Sequence, residues 1–168
     1  MKELPKRKQN RISGFDYSAP HAYFITVCTQ DRRNLFWQNV GAVIGRPEDV
    51  QLSSYGKIAE KAIQSIPEHY NMVCVEKYVV MPDHIHMLLR IKPEENGRPM
   101  TAPTIARVVN QTKGVVSKQL GFSVWQKGFY DHVVRTEEDF RDIWQYIEGN
   151  PLKWEEDMQQ RCTENRRR

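Results

Sequence analysis

Tyr78-Val79-Val80-Met81-Pro82-Asp83-His84-Ile85-His86-Met87-Leu88-Leu89-Arg90-Ile91 is the stretch whose reading decides the fold. Its β-branched, aromatic and apolar residues predict two strands, 71–80 and 83–91, broken by the Met81-Pro82-Asp83 turn. So short a connection pairs them antiparallel. In a strand, residues i and i+2 leave the same face, about 6–7 Å apart at their Cα atoms. His84 and His86 therefore point one way, while Ile85 points the other and can anchor the strand in a core. Two imidazoles so placed can share one metal ion, at about 2.0–2.1 Å from each if it is zinc-like. Paired histidines also occur as ordinary hydrogen-bonded strand residues, so the spacing alone leaves both readings open.

Working outward, residues 22–29 (Ala-Tyr-Phe-Ile-Thr-Val-Cys-Thr) form a first strand, with Phe24 and Thr26 on one face and Tyr23, Ile25 and Val27 on the other. Gln30 to Asn34 turns the chain, and Leu35-Phe36-Trp37 is expected to pack back on the sheet. From Ser54, residues Ile58, Ala59, Ala62, Ile63 and Ile66 recur at helical spacing, with Gly56 before and Pro67 after. Residues 92–103, rich in proline, make a loop. A second helix follows over 104–119, ended by Gly121, and then a strand around 129–134. Thr136, followed by Glu137, Glu138 and Asp139, is a helix start with an N-cap side chain and a dipole-favoured acidic first turn. That helix is expected to end at Gly149 or Asn150, since a residue before proline is biased away from the α region and Pro151 follows.

A chain of 168 residues makes one domain, 1–168, with enough length to bury a core. Lys and Arg outnumber Asp and Glu by 25 to 21, and the excess crowds the ends. Lys2, Lys6, Arg7, Lys8 and Arg11 make residues 1–20 a basic arm; Arg161, Arg166, Arg167 and Arg168 make 155–168 a basic tail. Such ends contact nucleic acid or merely solubilise. Cys28, Cys74 and Cys162 form no C-x-x-C pair, so neither a zinc ribbon nor a disulfide framework is indicated, and the cytosol is favoured. No apolar run approaches the ~18 residues of a membrane span, so no membrane partner is expected.

The last helix supplies a second candidate group. Tyr146 falls about 60° from Ile143 on the helical wheel, and Asn150 about 40° from Tyr146, along one margin of the apolar stripe of Phe140, Ile143, Trp144 and Ile147. A side chain on that margin can be held by the core and still reach a cleft. The same positions also fit a boundary tyrosine and an asparagine C-cap.

Tyr-Val-Val-Met-Pro-Asp-His-Ile-His at 78–86, Val-Trp-Gln-Lys-Gly-Phe-Tyr-Asp-His-Val-Val-Arg at 124–135 and Tyr-Ile-Glu-Gly-Asn-Pro-Leu-Lys-Trp at 146–154 occur in that order. Together they resemble the IS200-like Y1 transposases of the HUH single-strand nucleases, and most of all the branch associated with repetitive extragenic palindromes (REP). The similarity runs from about residue 20 to 155. It implies an α+β, ferredoxin-like fold, an antiparallel sheet with packed helices. It also implies that His84 and His86 are metal ligands, Tyr146 the nucleophile and Asn150 the third ligand, with Mg2+ or Mn2+ as the ion. Two positions depart from the usual pattern: Asp83 stands where many relatives carry Asn, and Asn150 is often Gln in the insertion-sequence members.

The implied activity is metal-dependent cleavage and rejoining of single-stranded DNA, at hairpin-forming repeats, through a 5′-phosphotyrosine. A tyrosine hydroxyl, pKa about 10, is a poor nucleophile and a phosphodiester is anionic, so a divalent ion that polarises the phosphate answers the second difficulty. Imidazoles suit zinc, copper or iron, and amide and phosphate oxygens suit Mg or Mn, so ligand type leaves the ion open. Arg7, Lys8, Arg11, Lys113, Lys127 and Arg135 are the candidate phosphate contacts, with Lys118 beside them, and Trp125 and Phe129 are either stacking platforms or core. Single-stranded or hairpin DNA is the expected partner of a monomer or homodimer, cytoplasmic and at the nucleoid. A phosphodiesterase that uses water would keep the histidines and ignore Tyr146. A catalytically silent DNA-binding protein would need none of the three groups. A histidine-triad hydrolase would need a further histidine at 88, where the chain has Leu88.

Overall fold

The computed structural model describes residues 16–38, 50–93 and 103–165. Most of the basic arm, most of the 92–103 loop and Arg166 to Arg168 lie outside the described residues. Four strands, β1 Ala22–Cys28, β2 Val73–Val80, β3 His84–Ile91 and β4 Tyr130–Val134, make one sheet in the order β2-β3-β1-β4. Every neighbouring pair is antiparallel. The helices are α1 Ser54–Gln64, α2 Ile66–His69, α3 Ile105–Leu120 and α4 Glu137–Asn165. With the chain order β1, α1, β2, β3, α3, β4, this strand arrangement is the expected ferredoxin-like α+β fold. Among the described residues no helix is long and apolar enough to cross a membrane.

Strand alternation splits the apolar residues into two layers. Tyr23, Ile25, Val27, Ile85, Met87, Leu89 and Ile91 face the main core with α1 and α3, where Ala59, Ile63, Val108, Val109 and Val116 meet them. On the other face Ala22, Leu88 and Val134 meet Ile143 and Ile147 of α4. The central strand β3 thus sends its apolar odd-numbered residues into one layer and its histidines toward the helix that carries Tyr146. Phe36 and Trp37 do pack back, both buried, and Trp37 Nε1 donates to Val80 O at 2.7 Å.

The helix ends follow the local chemistry, with two corrections. Thr136 caps α4 by accepting from Asp139 N, and Thr104 caps α3 by accepting from Arg107 N. Gly121, at φ 76°, ends α3 in the left-handed conformation that glycine tolerates. Gly56 lies inside α1 rather than before it, because Ser53 is the N-cap and its Oγ accepts from Gly56 N. Pro67 opens the short helix α2, where a missing N–H costs nothing.

The larger correction is α4, which does not end before Pro151 but continues to Asn165. Proline removes one helical hydrogen bond and crowds the preceding turn, a cost of about 3 kcal/mol in an isolated helix. Packing on both sides outweighs it here. Ile143 and Ile147 are buried before the proline, and beyond it Leu152 and Trp154 pack on the main core, Trp154 edge-on to Trp37 at 5.3 Å between ring centroids.

Two glycines test this packing in opposite directions. A Cβ on Gly56 would sit 2.2 Å from the carbonyl oxygen of Phe36, so Gly56→Ala should destabilise the protein by about 1–3 kcal/mol. A Cβ on Gly114, within α3, meets nothing within 4 Å, so Gly114→Ala should stabilise by about 0.5–1 kcal/mol. Denaturant unfolding of the two variants checks both signs.

Candidate active site

The register of β1 against β3 builds the site. Cys28 pairs with His84 and Thr26 with His86, so Thr26 stands beside His86 on the face that α4 covers. The two imidazoles turn toward each other, Nε2 to Nε2 at 3.1 Å. Each ring is held from behind through Nδ1. His84 Nδ1 donates to Asp83 Oδ1 at 2.5 Å, which places a proton on that nitrogen, so that in the neutral ring Nε2 carries the lone pair. His86 Nδ1 lies 2.8 Å from Thr26 Oγ1, a hydroxyl that can donate or accept, so His86 can present either an N–H or a lone pair at Nε2.

Electrostatics favour a neutral His86 and an ionised Asp83. Burial, then the charges of His84 and Arg32, holds the His86 pKa down at about 3, against the opposing pull of Asp83. Burial pushes Asp83 upward, yet the hydrogen bond and charge of His84 and the charge of Arg32 outweigh it, so its carboxyl lies below the usual value. Asp83 is also pinned by its backbone, its carbonyl accepting from Thr29 N at 2.9 Å. Arg32 Nη1 stands 3.5 Å from Asp83 Oδ2.

α4 brings the tyrosine to this pair. Tyr146 Oη is 3.4 Å from His86 Nε2, and its ring meets His86 and Phe24 edge-on at 5.2 and 5.9 Å. Phe24 stacks on His86 at 5.2 Å, so the ring that holds the imidazole also fixes the tyrosine. Tyr146 remains 44 % exposed, enough to meet a ligand. Asn150, one turn further along α4, is buried at 8 % exposure. Among the described residues no hydrogen bond links its amide to either histidine.

A divalent ion fits the histidine pair. Two nitrogens 3.1 Å apart match neighbouring ligands of an octahedral ion with bonds near 2.1 Å, whose cis edge is about 3.0 Å. Among the described residues, no group of three or more His, Cys, Asp and Glu gathers at metal-binding spacing. Among the described residues, a further protein ligand there would be of another type, such as an amide.

The basic candidates separate along the sheet. Lys113 reaches the histidine end, where Gln126 N donates to Cys28 O, but its Nζ donates to the carbonyls of Gln126 and Gly128 at 2.9 and 2.7 Å, and burial lowers its pKa. Lys127, next to Gln126, is exposed at the same end. Arg135 follows Val134, which pairs with Ala22 at the opposite end of β1, about 13 Å along the strand from Thr26. Arg7, Lys8 and Arg11 lie outside the described residues. Trp125 is buried and donates from Nε1 to Lys113 O. Phe129 is partly buried against the core.

Thr26, Asp83, Arg32 and Phe24 are the site residues that sequence reasoning missed. The alternation of β1 put Phe24 and Thr26 on one face, but which strand they would meet depends on the register. Asp83 carried a signal, being an acid next to a histidine at a strand start.

Because the folded His86 pKa lies below the ordinary 6.5, the unfolded chain binds the proton first as pH falls. The burial of neutral His86 therefore costs nothing above about pH 7 and destabilises progressively as pH drops from 6.5 toward 3. In EDTA, the ring nitrogen shifts of His86 should stay flat between about pH 8 and pH 5 by NMR; a midpoint near 6.5 would contradict the burial.

Comparison with known proteins gives the family and the fold. The sequence profile of the family described as "Transposase IS200 like" matches residues 18–150. An uncharacterized protein of Haemophilus influenzae is 28% identical over 171 residues, covering 90% of this chain and 92% of its own. A provisionally named REP-associated tyrosine transposase of the same organism is 24% identical, covering 82% and 74%. Among solved structures, a REP-associated tyrosine transposase bound to a REP hairpin superposes with a TM-score of 0.58 at 21% identity, over 91% of this chain and 74% of that one. The family match takes in the whole sheet, both histidines and the tyrosine, and the chain belongs to the IS200-like transposases.

Proposed function

We propose that this transposase is a metal-dependent single-stranded DNA endonuclease and strand transferase acting at hairpin-forming repeats, with Tyr146 as its nucleophile. The observation that carries the reading is the hydroxyl of Tyr146, half exposed, 3.4 Å from the Nε2 of a histidine whose partner Nε2 is 3.1 Å further on. His84, His86 and the amide of Asn150 would hold Mg2+ or Mn2+. When bound, the ion supplies charge stabilisation for the phosphate under attack.

The rest is the work of side chains. Phe24 and His86 hold the tyrosine ring, while Asp83 and Thr26 hold the imidazoles in place. Tyr146 Oη forms a bond to phosphorus as the P–O3′ bond breaks. The tyrosine proton leaves to solvent, the departing 3′ oxygen takes one up, and the DNA stays attached through its 5′ phosphate. A second 3′-OH attacking that phosphotyrosine reverses the step and joins strands without ATP, because the phosphodiester bond has been exchanged and not hydrolysed. The REP hairpin held by the structural neighbour supports hairpin DNA as substrate.

Incubation with a labelled hairpin and Mn2+ should give a covalent adduct that survives denaturation and maps to Tyr146 by mass spectrometry. Tyr146→Phe should abolish it while costing about 1 kcal/mol of stability at most. His84→Ala, His86→Ala and EDTA should each abolish cleavage, and Asn150→Ala should leave residual activity with a higher metal requirement. Cleavage without an adduct would transfer the site to a phosphodiesterase that uses water.

A further inference from the structure

The turn that joins β1 to the Leu35–Trp37 segment holds the most constrained backbone among the described residues. Asp31 and Arg32 are consecutive non-glycine residues at φ 55° and 53°, in the left-handed region that side chains disfavour. The turn is fixed from two sides. Thr29 N donates to Asp83 O at 2.9 Å, and Leu35 N and Phe36 N donate to Pro82 O at 2.8 and 3.1 Å, which ties it to the residues just before His84. Gln30 N donates to Val124 O at 2.7 Å on the other side.

This framework places the guanidinium of Arg32 over Asp83, whose other carboxylate oxygen holds His84. The contact is a single one at 3.5 Å, and the Arg32 side chain is 55% exposed. An exposed, monodentate ion pair contributes little to stability, so it does not by itself account for the strained turn. With the side chain more than half exposed, the guanidinium, which carries five donors, is open to a further ligand beside Asp83. Asp83 also puts a negative charge where an anionic backbone has to approach, and Arg32 is the cation that the turn sets against it.

We propose that Arg32 is a phosphate-binding residue, gripping a backbone phosphate of the single strand that enters the site; this rests on the reading of the histidine face as a DNA site. Arginine suits the task because its planar fork binds two phosphate oxygens at once while its remaining edge stays on Asp83. The strained turn then holds the guanidinium in place before DNA arrives.

The test is equilibrium binding of the full-length chain, in EDTA, to a short fluorescent single strand of mixed sequence over a range of salt concentrations. Arg32→Ala should weaken binding roughly tenfold, and its log K against log salt should be shallower by about 0.7, the value of one phosphate contact on a single strand. Arg32→Lys should recover the slope but not all of the affinity. In the Asp83→Asn background, Arg32→Ala should cost the same factor again. If Asp83→Asn erases the difference, Arg32 serves only to offset Asp83 and the proposal is overturned, as it is if Arg32→Ala binds like the unaltered chain. Arg32-dependent binding in a protein that forms no adduct with Mn2+ would uphold the proposal and overturn the cleavage reading alone. Absence of binding by the unaltered chain would overturn the proposal, while the adduct with a hairpin and Mn2+ decides the cleavage reading separately.

Discussion

The register of β1 against β3 is the constraint on which the rest of the molecule depends. With Thr26 opposite His86 and Cys28 opposite His84, both imidazoles leave the central sheet on the side of α4. A slip of one residue would exchange the two faces of a strand, sending histidines into the apolar core and isoleucines toward the tyrosine. Burial of Ile85, Met87, Leu89 and Ile91 on one side holds that register against slippage. The hydrophobic effect thus positions polar groups that it does not itself favour. Hydrogen bonding finishes the arrangement, because a buried ring nitrogen without a partner is costly, and Asp83 and Thr26 are the partners.

Placement of the tyrosine depends on a helix that the sequence rules would have ended early. α4 crosses Pro151 because it is packed on both sides of it, and the same packing seats Tyr146 and Asn150 over the sheet. Tyr146 touches His86 and Phe24, which lie on two different strands. Any change that lifts α4 therefore separates the hydroxyl from the histidines without altering either group. Lys113 plays a comparable part at the sheet's end, where its partly buried ammonium holds two carbonyls of the 126–128 segment against α3.

The legible part of this protein was the part written in short-range periodicity. His84 and His86 share a face because a strand repeats every two residues, and Thr136 and Gly121 mark helix ends because they satisfy or release backbone groups locally. Tyr146 stood out through its place at the margin of an apolar stripe, and through three ordered motifs. What could not be read depended on contacts distant in sequence. The Trp37–Trp154 contact that helps carry α4 past its proline joins opposite ends of the chain. The role of Thr26 required the strand register, and that of Arg32 required two left-handed residues that composition does not announce.

The central claim is that β1, β3 and the Met81–Asp83 turn prearrange two imidazoles to hold one divalent ion beside Tyr146. Anomalous scattering from Mn2+ in crystals of the full-length protein tests it most directly. The account predicts one peak about 2.2 Å from the Nε2 atoms of both His84 and His86, with Asp83 and Thr26 still on the Nδ1 atoms. A fully occupied peak elsewhere, or histidines that keep their mutual contact with no ion between them at saturating Mn2+, would contradict it.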